Sequence, residues 1–124
     1  MANVLIVDDS PTELYRLKAI LEKNGHSVIT AENGADGVAI CRQEKPDAVL
    51  MDIVMPGLNG FQATRQLSKD SETHQIPVII ITTKDQETDK VWGLRQGARD
   101  YLTKPIDEKV LLNTLTKVTS LIPV

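Results

Sequence analysis

Five short runs of apolar and β-branched residues recur along the chain: Asn3–Val7, Val28–Ala31, Ala48–Ile53, Val78–Thr82 and Tyr101–Thr103. Val4-Leu5-Ile6-Val7 and Ile79-Ile80-Ile81 are apolar without alternation, which is how a strand reads when both of its faces are covered. The segments between the runs repeat at helical spacing instead. Leu14, Leu17 and Leu21 make one stripe, Val91, Leu94 and Ala98 a second, and Leu111, Leu115, Val118 and Ile122 a third.

The punctuation agrees with this alternation. Ser10-Pro11-Thr12-Glu13 has the spacing of a capping box with proline at the first helical position, and Gly25 is placed to close the same helix. Lys45-Pro46-Asp47 ends the second helix before the third strand. Strands alternating with helices give right-handed βα units and a parallel sheet with helices on both faces. The expected architecture is a single α/β (βα)5 domain over residues 1–124 in the flavodoxin-like, doubly wound order 2-1-3-4-5, with the last helix leaving no room for an output domain.

Composition narrows the class. The 124 residues are 41% hydrophobic and 25% charged, enough for one domain that buries roughly two-thirds of its unfolded surface. A net charge of -3 leaves no basic footprint for nucleic acid. No apolar run approaches the length of a membrane span, and the N-terminus lacks the basic region of a signal peptide, so a cytoplasmic protein is expected. The lone Cys41 fits a reducing compartment and reads as a small core residue. His26 and His74 have no zinc-ligand spacing with it.

The chemistry gathers at one edge. Ligands of open parallel sheets sit beyond the carboxyl ends of the strands. Asp8 and Asp9 follow strand 1, and Asp52 lies near the end of strand 3, its neighbour in the expected order. An aspartate after a strand can simply cap the next helix, but three converging carboxylates suit a hard divalent cation, and Mg2+ above all. Thr82 at the end of strand 4 and Lys104 after strand 5 fall at the same edge. A hydroxyl and an ammonium facing carboxylates and a metal suit an incoming phosphoryl group. The chain has neither a G-x-x-x-x-G-K-[ST] nor a G-x-G-x-x-G motif for a nucleotide.

VLIVDDS, LMDIVMPGLNG, IPVIIITT and GARDYLTKP together resemble the receiver domains of two-component response regulators, and the similarity covers essentially the whole chain. The resemblance implies that Asp52 is the phosphoacceptor, taking its phosphate from a sensor histidine kinase. It also implies that Asp8, Asp9, Asp52 and the Val54 backbone carbonyl hold Mg2+. Thr82 would be the switch hydroxyl, Tyr101 the switch aromatic and Lys104 the phosphate-contacting lysine, with a cis Lys104-Pro105 bond. Thr82 would swing toward the phosphate, Tyr101 would then rotate inward, and the helix 4–strand 5–helix 5 face would change for a downstream protein partner. KPDAVLMDIVMPGLNGFQATRQL and TTKDQETDKVWGLRQGARDYLTKP resemble members of the family that act alone, chemotaxis-like, in type IV pilus twitching motility.

Two positions depart from the common pattern. Thr83 stands where a smaller residue is usual, and the Val54 side chain cannot hydrogen-bond an attacking water, so slow self-dephosphorylation is expected. Trp92 lies off the Val91 stripe and should be partly exposed, as an interface residue or as packing over Gly93. The expected role is a phosphorylation-controlled signalling protein rather than an enzyme, with a phosphate sink or relay intermediate as alternatives. An Mg-dependent phosphohydrolase would want D-x-D after the first strand, and a flavin binder would not place DDSPTE where a phosphate sits.

Overall fold

The computed structural model describes residues 1–120. Its elements run β1 (Asn3–Val7), α1 (Pro11–Lys23), β2 (Ser27–Ala31), α2 (Gly34–Glu44), β3 (Ala48–Met51), α3 (Gly60–Lys69), β4 (Val78–Thr82), α4 (Glu87–Arg95), β5 (Asp100–Thr103) and α5 (Glu108–Ser120). The strands form one parallel sheet in the order β2-β1-β3-β4-β5, as the alternating pattern demands.

Alternate residues of the central strands serve opposite layers, which explains why they are apolar throughout. Val4, Ile6, Ala48, Leu50, Ile79 and Ile81 pack with Leu14, Leu17 and Leu21 of α1 and Leu111, Leu115 and Val118 of α5. Leu5, Val7, Val49, Met51 and Val78 pack with Val38 and Cys41 of α2 and Ala63 and Leu67 of α3. The stripes read for α1 and α5 are therefore the buried ones, and Cys41 is the small core residue expected. Ile122, read as the end of the α5 stripe, lies outside the described residues.

The Val91, Leu94, Ala98 stripe is not the buried face of α4. Val91 and Leu94 stay 42% and 50% exposed, and Ala98 is buried beyond the helix end. Gly93 is the residue of α4 that is buried. A Cβ built there would stand 2.8 Å from Ile80 Cδ1 and 3.0 Å from Tyr101 Cδ2. The helix touches the sheet through its missing side chain, a contact that hydrophobic periodicity cannot register.

Caps differ from the expectation in one respect. Ser10 Oγ accepts from the Glu13 N–H at 3.3 Å, but the reciprocal half of the box is absent. The Ser10 N–H donates to Asp8 Oδ1 at 2.9 Å instead. The reciprocal capping box belongs to α3, between Asn59 and Gln62. At the other end of α1 the Gly25 N–H reaches Glu22 O and the His26 N–H reaches Leu21 O. With Gly25 at φ +87°, this is a Schellman close. Lys45, in the left-handed region at φ 48°, ends α2 as anticipated.

Candidate functional site

β1 and β3 are paired with Val7 opposite Met51, so the residues that follow them, Asp8 and Asp52, emerge side by side. β3 stops at Met51 rather than at Ile53 as expected. The Asp52 N–H still bonds to Val7 O at 3.0 Å, but Asp52 Oδ1 accepts from the Ile53 N–H at 2.8 Å, and this turns the chain off the pleat. The start of α3 then presses on the loop that follows β3. A Cβ on Gly60 would lie 2.0 Å from the Asp52 carbonyl oxygen, so only glycine lets α3 begin there.

Carboxylate oxygens of Asp8, Asp9 and Asp52 all lie within 4.8 Å of one another. Asp8 and Asp52 are buried, whereas Asp9 faces outward. The Lys104 ammonium reaches in from the end of β5. Its Nζ donates to Asp8 Oδ2 at 2.8 Å, stands 3.6 Å from Asp52 Oδ2 and is 4.0 Å from Glu13 Oε2. Its backbone N–H donates to Thr82 O at 2.8 Å, which ties the ends of β4 and β5 together. The Lys104–Pro105 peptide bond is cis.

Electrostatics follow from this packing. Burial raises the Asp52 carboxyl above its ordinary value; the Lys104 charge opposes that, Asp8 adds to it, and the Ile53 N–H and the Thr82 hydroxyl oppose it. Burial acts to lower Lys104, but its hydrogen bond to Asp8 and the charges of Asp52, Asp8 and Glu13 outweigh that and raise it. A protonated lysine beside buried carboxylates offsets desolvation that would cost several kcal/mol per ion. The two adjacent aspartates at the edge of a core are tolerated for this reason. The surrounding donors are hard oxygens of a size and spacing that fit a magnesium ion with waters in the remaining positions.

The structure thus brings together Asp8, Asp9, Asp52 and Lys104. Thr82 ends β4 with no exposed surface, and its Oγ1 accepts weakly from the Lys84 N–H at 3.4 Å. Val54 lies in the following loop with its side chain 56% exposed. Tyr101 is buried, and its OH donates to Lys84 O at 2.7 Å. The ring lies against Gly93, where a Cβ would stand 3.0 Å from Tyr101 Cδ2. Burial, then the charges of Asp89, Asp52 and Asp85, push the Tyr101 phenol up to about 12. Sequence reasoning missed Glu13 as a member of this cluster because its spacing from Ser10 matched a cap. It also missed the Lys84 backbone, which carries no side-chain signal.

The response regulator receiver domain model matches residues 4–116. The chain belongs to that family. Protein PilH of Pseudomonas aeruginosa is 77% identical over 118 residues, covering 95% of this chain and 98% of that one. The response regulator PleD of Caulobacter vibrioides is 39% identical over 95% of this chain but only 26% of its own length. Among solved receivers, CheY4 of Vibrio cholerae superposes with a TM-score of 0.89 at 31% identity, covering 95% of this chain and 98% of that one. The receiver domain of a Pseudomonas aeruginosa sensor histidine kinase superposes equally well, with a TM-score of 0.89 at 28% identity over 96% and 98% of the two chains. That domain holds a magnesium ion in its active-site cleft. The family assignment favours a receiver over the phosphohydrolase and flavin-binder readings. No helix among the described residues is long and apolar enough to cross a membrane.

Proposed function

We propose that this receiver takes a phosphoryl group onto Asp52 from a histidine kinase and thereby switches its binding to other proteins. The observation that carries the reading is the Lys104 ammonium 2.8 Å from Asp8 and 3.6 Å from Asp52 within the carboxylate cluster. An Asp52 oxygen forms the new P–O bond as the P–N bond to the donor imidazole breaks, and the departing imidazole takes a proton. Such transfers need alignment and charge stabilisation more than covalent help from the protein. Lys104 is in reach to hold the phosphoryl oxygens, and the Thr82 hydroxyl is the donor at the end of β4. Asp8, Asp9, Asp52 and the Val54 carbonyl are the ligands we assign to Mg2+, which when bound supplies positive charge against the phosphoryl oxygens.

We read the output as protein binding through α4, β5 and α5 rather than as turnover. Thr82 and Tyr101 act as the switch pair, with the phosphate stabilising one of two arrangements. The 77% identity to PilH over 98% of that chain supports a role in type IV pilus twitching motility. A kinase loads its phosphate from ATP in the cytoplasm, which is where this chain would act and where its single thiol stays reduced. The test is incubation with Mg2+ and acetyl phosphate. The native chain gains one acid-stable, base-labile phosphate and Asp52→Asn gains none; an adduct that persists in Asp52→Asn removes the assignment.

A further inference from the structure

Glu13 is a fourth carboxylate at this edge, and no hydrogen bond of the fold uses the oxygen it turns inward. The Ser10 N–H that a capping box would offer it is taken by Asp8 Oδ1 at 2.9 Å. Glu13 Oε2 is buried without a hydrogen-bond partner and stands 4.0 Å from the Lys104 Nζ. A carboxylate oxygen buried without a donor is costly, and folded proteins rarely keep one that has no use.

The partners of Lys104 supply the use. Asp8 Oδ1 accepts from the Ser10 N–H, and Asp8 Oδ2 holds Lys104 at 2.8 Å. In the proposed function Asp8 also faces the divalent cation. Asp52, the proposed acceptor, takes the Ile53 N–H on Oδ1 at 2.8 Å and has Oδ2 3.6 Å from Lys104. Both close partners of the lysine are thus claimed by the reaction. Glu13 stands outside the Asp8, Asp9, Asp52 trio and is claimed by neither event.

We infer that Glu13 is a positioning residue that holds the Lys104 ammonium at the acceptor. The inference rests on the phosphoacceptor reading of Asp52. Glu13 touches neither metal nor phosphate; it acts through the lysine. Its helix makes it a firm anchor, since Glu13 sits in the first turn of α1 behind the Ser10 cap and Pro11.

Two measurements test this on the full chain. In Mg2+-saturated native protein the Lys104 ammonium gives a persistent NMR resonance, shielded from exchange, and Glu13→Gln loses it. Glu13→Gln also slows phosphorylation by acetyl phosphate at saturating Mg2+ by roughly 3–10-fold, the scale of one ordinary polar contact. In a Lys104→Ala background the same change alters the rate by about twofold at most, because the effect passes through the missing lysine. Equal slowing in both backgrounds, or a Glu13→Gln protein with the native resonance and rate, overturns the assignment of Glu13 alone. A native chain that takes no phosphate overturns the phosphoacceptor reading with it.

Discussion

On one side of the sheet, α1 and α5 press six aliphatic side chains, three from each helix, into a layer shared with β1, β3 and β4. At the far corner, α4 meets the sheet through Gly93, has no side-chain hydrogen bond at its N-cap, and leaves Val91, Trp92 and Leu94 about half exposed. Asp52 lies between these two regions. The well-packed side fixes where the carboxylates and Lys104 stand, because a dense core deforms little. The α4–β5 corner, joined to the sheet by Gly93 and the Tyr101 ring, has less to lose when it shifts. A site that must both hold still for chemistry and report on it needs both kinds of packing.

The contrast can be broken most directly by truncation. Leu111→Ala on α5 should cost about 2–5 kcal/mol in urea unfolding, while Leu94→Ala on α4 should change stability by about 0.5 kcal/mol or less. Comparable losses at the two positions would erase the distinction.

Phosphate lifetime comes next, because Val54, two residues after Asp52, and Thr83, just after β4, are both exposed. On the proposed phosphoacceptor role of Asp52, Val54→Asn with Thr83→Ala should speed hydrolysis of the phosphate by roughly tenfold, the worth of one added hydrogen bond to the attacking water. An unchanged decay would leave the two departures as packing variation.

A smaller effect sharpens the role of Gly93. Gly93→Ala gains about 1 kcal/mol of helix propensity but meets Ile80 and Tyr101 at distances that force one of them aside, at about 1–3 kcal/mol. The net loss should be about 1 kcal/mol, and the better readout is the phenol. Tyr101 titrates near 12 because it is buried; expelled from its seat, it should titrate nearer the ordinary 10 in an ultraviolet pH titration. The sign follows from protonation being favoured in the fold. The stabilisation is complete below the unfolded value near 10 and is lost as pH rises through about 12, so the variant loses that alkaline dependence.

Much of this was legible along the chain. The continuous apolar runs gave the strands and their parallel, doubly covered setting, and the Leu17 and Leu115 stripes gave the buried helical faces. Asp8, Asp52, Thr82 and Lys104 were placed by a single rule, that strand ends share an edge. α4 was misread because its contact is an absence of side chain, and Glu13 because one spacing serves both a cap and a site.

Sequence alone determined the order of elements, the two-sided burial of the sheet and the edge at which the charged residues gather, since each of these depends on local periodicity and on general rules of chain topology. Tertiary structure alone decided which oxygen of Asp8 holds Lys104, that Tyr101 is seated over Gly93, and that Glu13 turns its carboxylate inward. Those are questions of a few tenths of a nanometre between residues up to 96 positions apart, and no local pattern carries such distances.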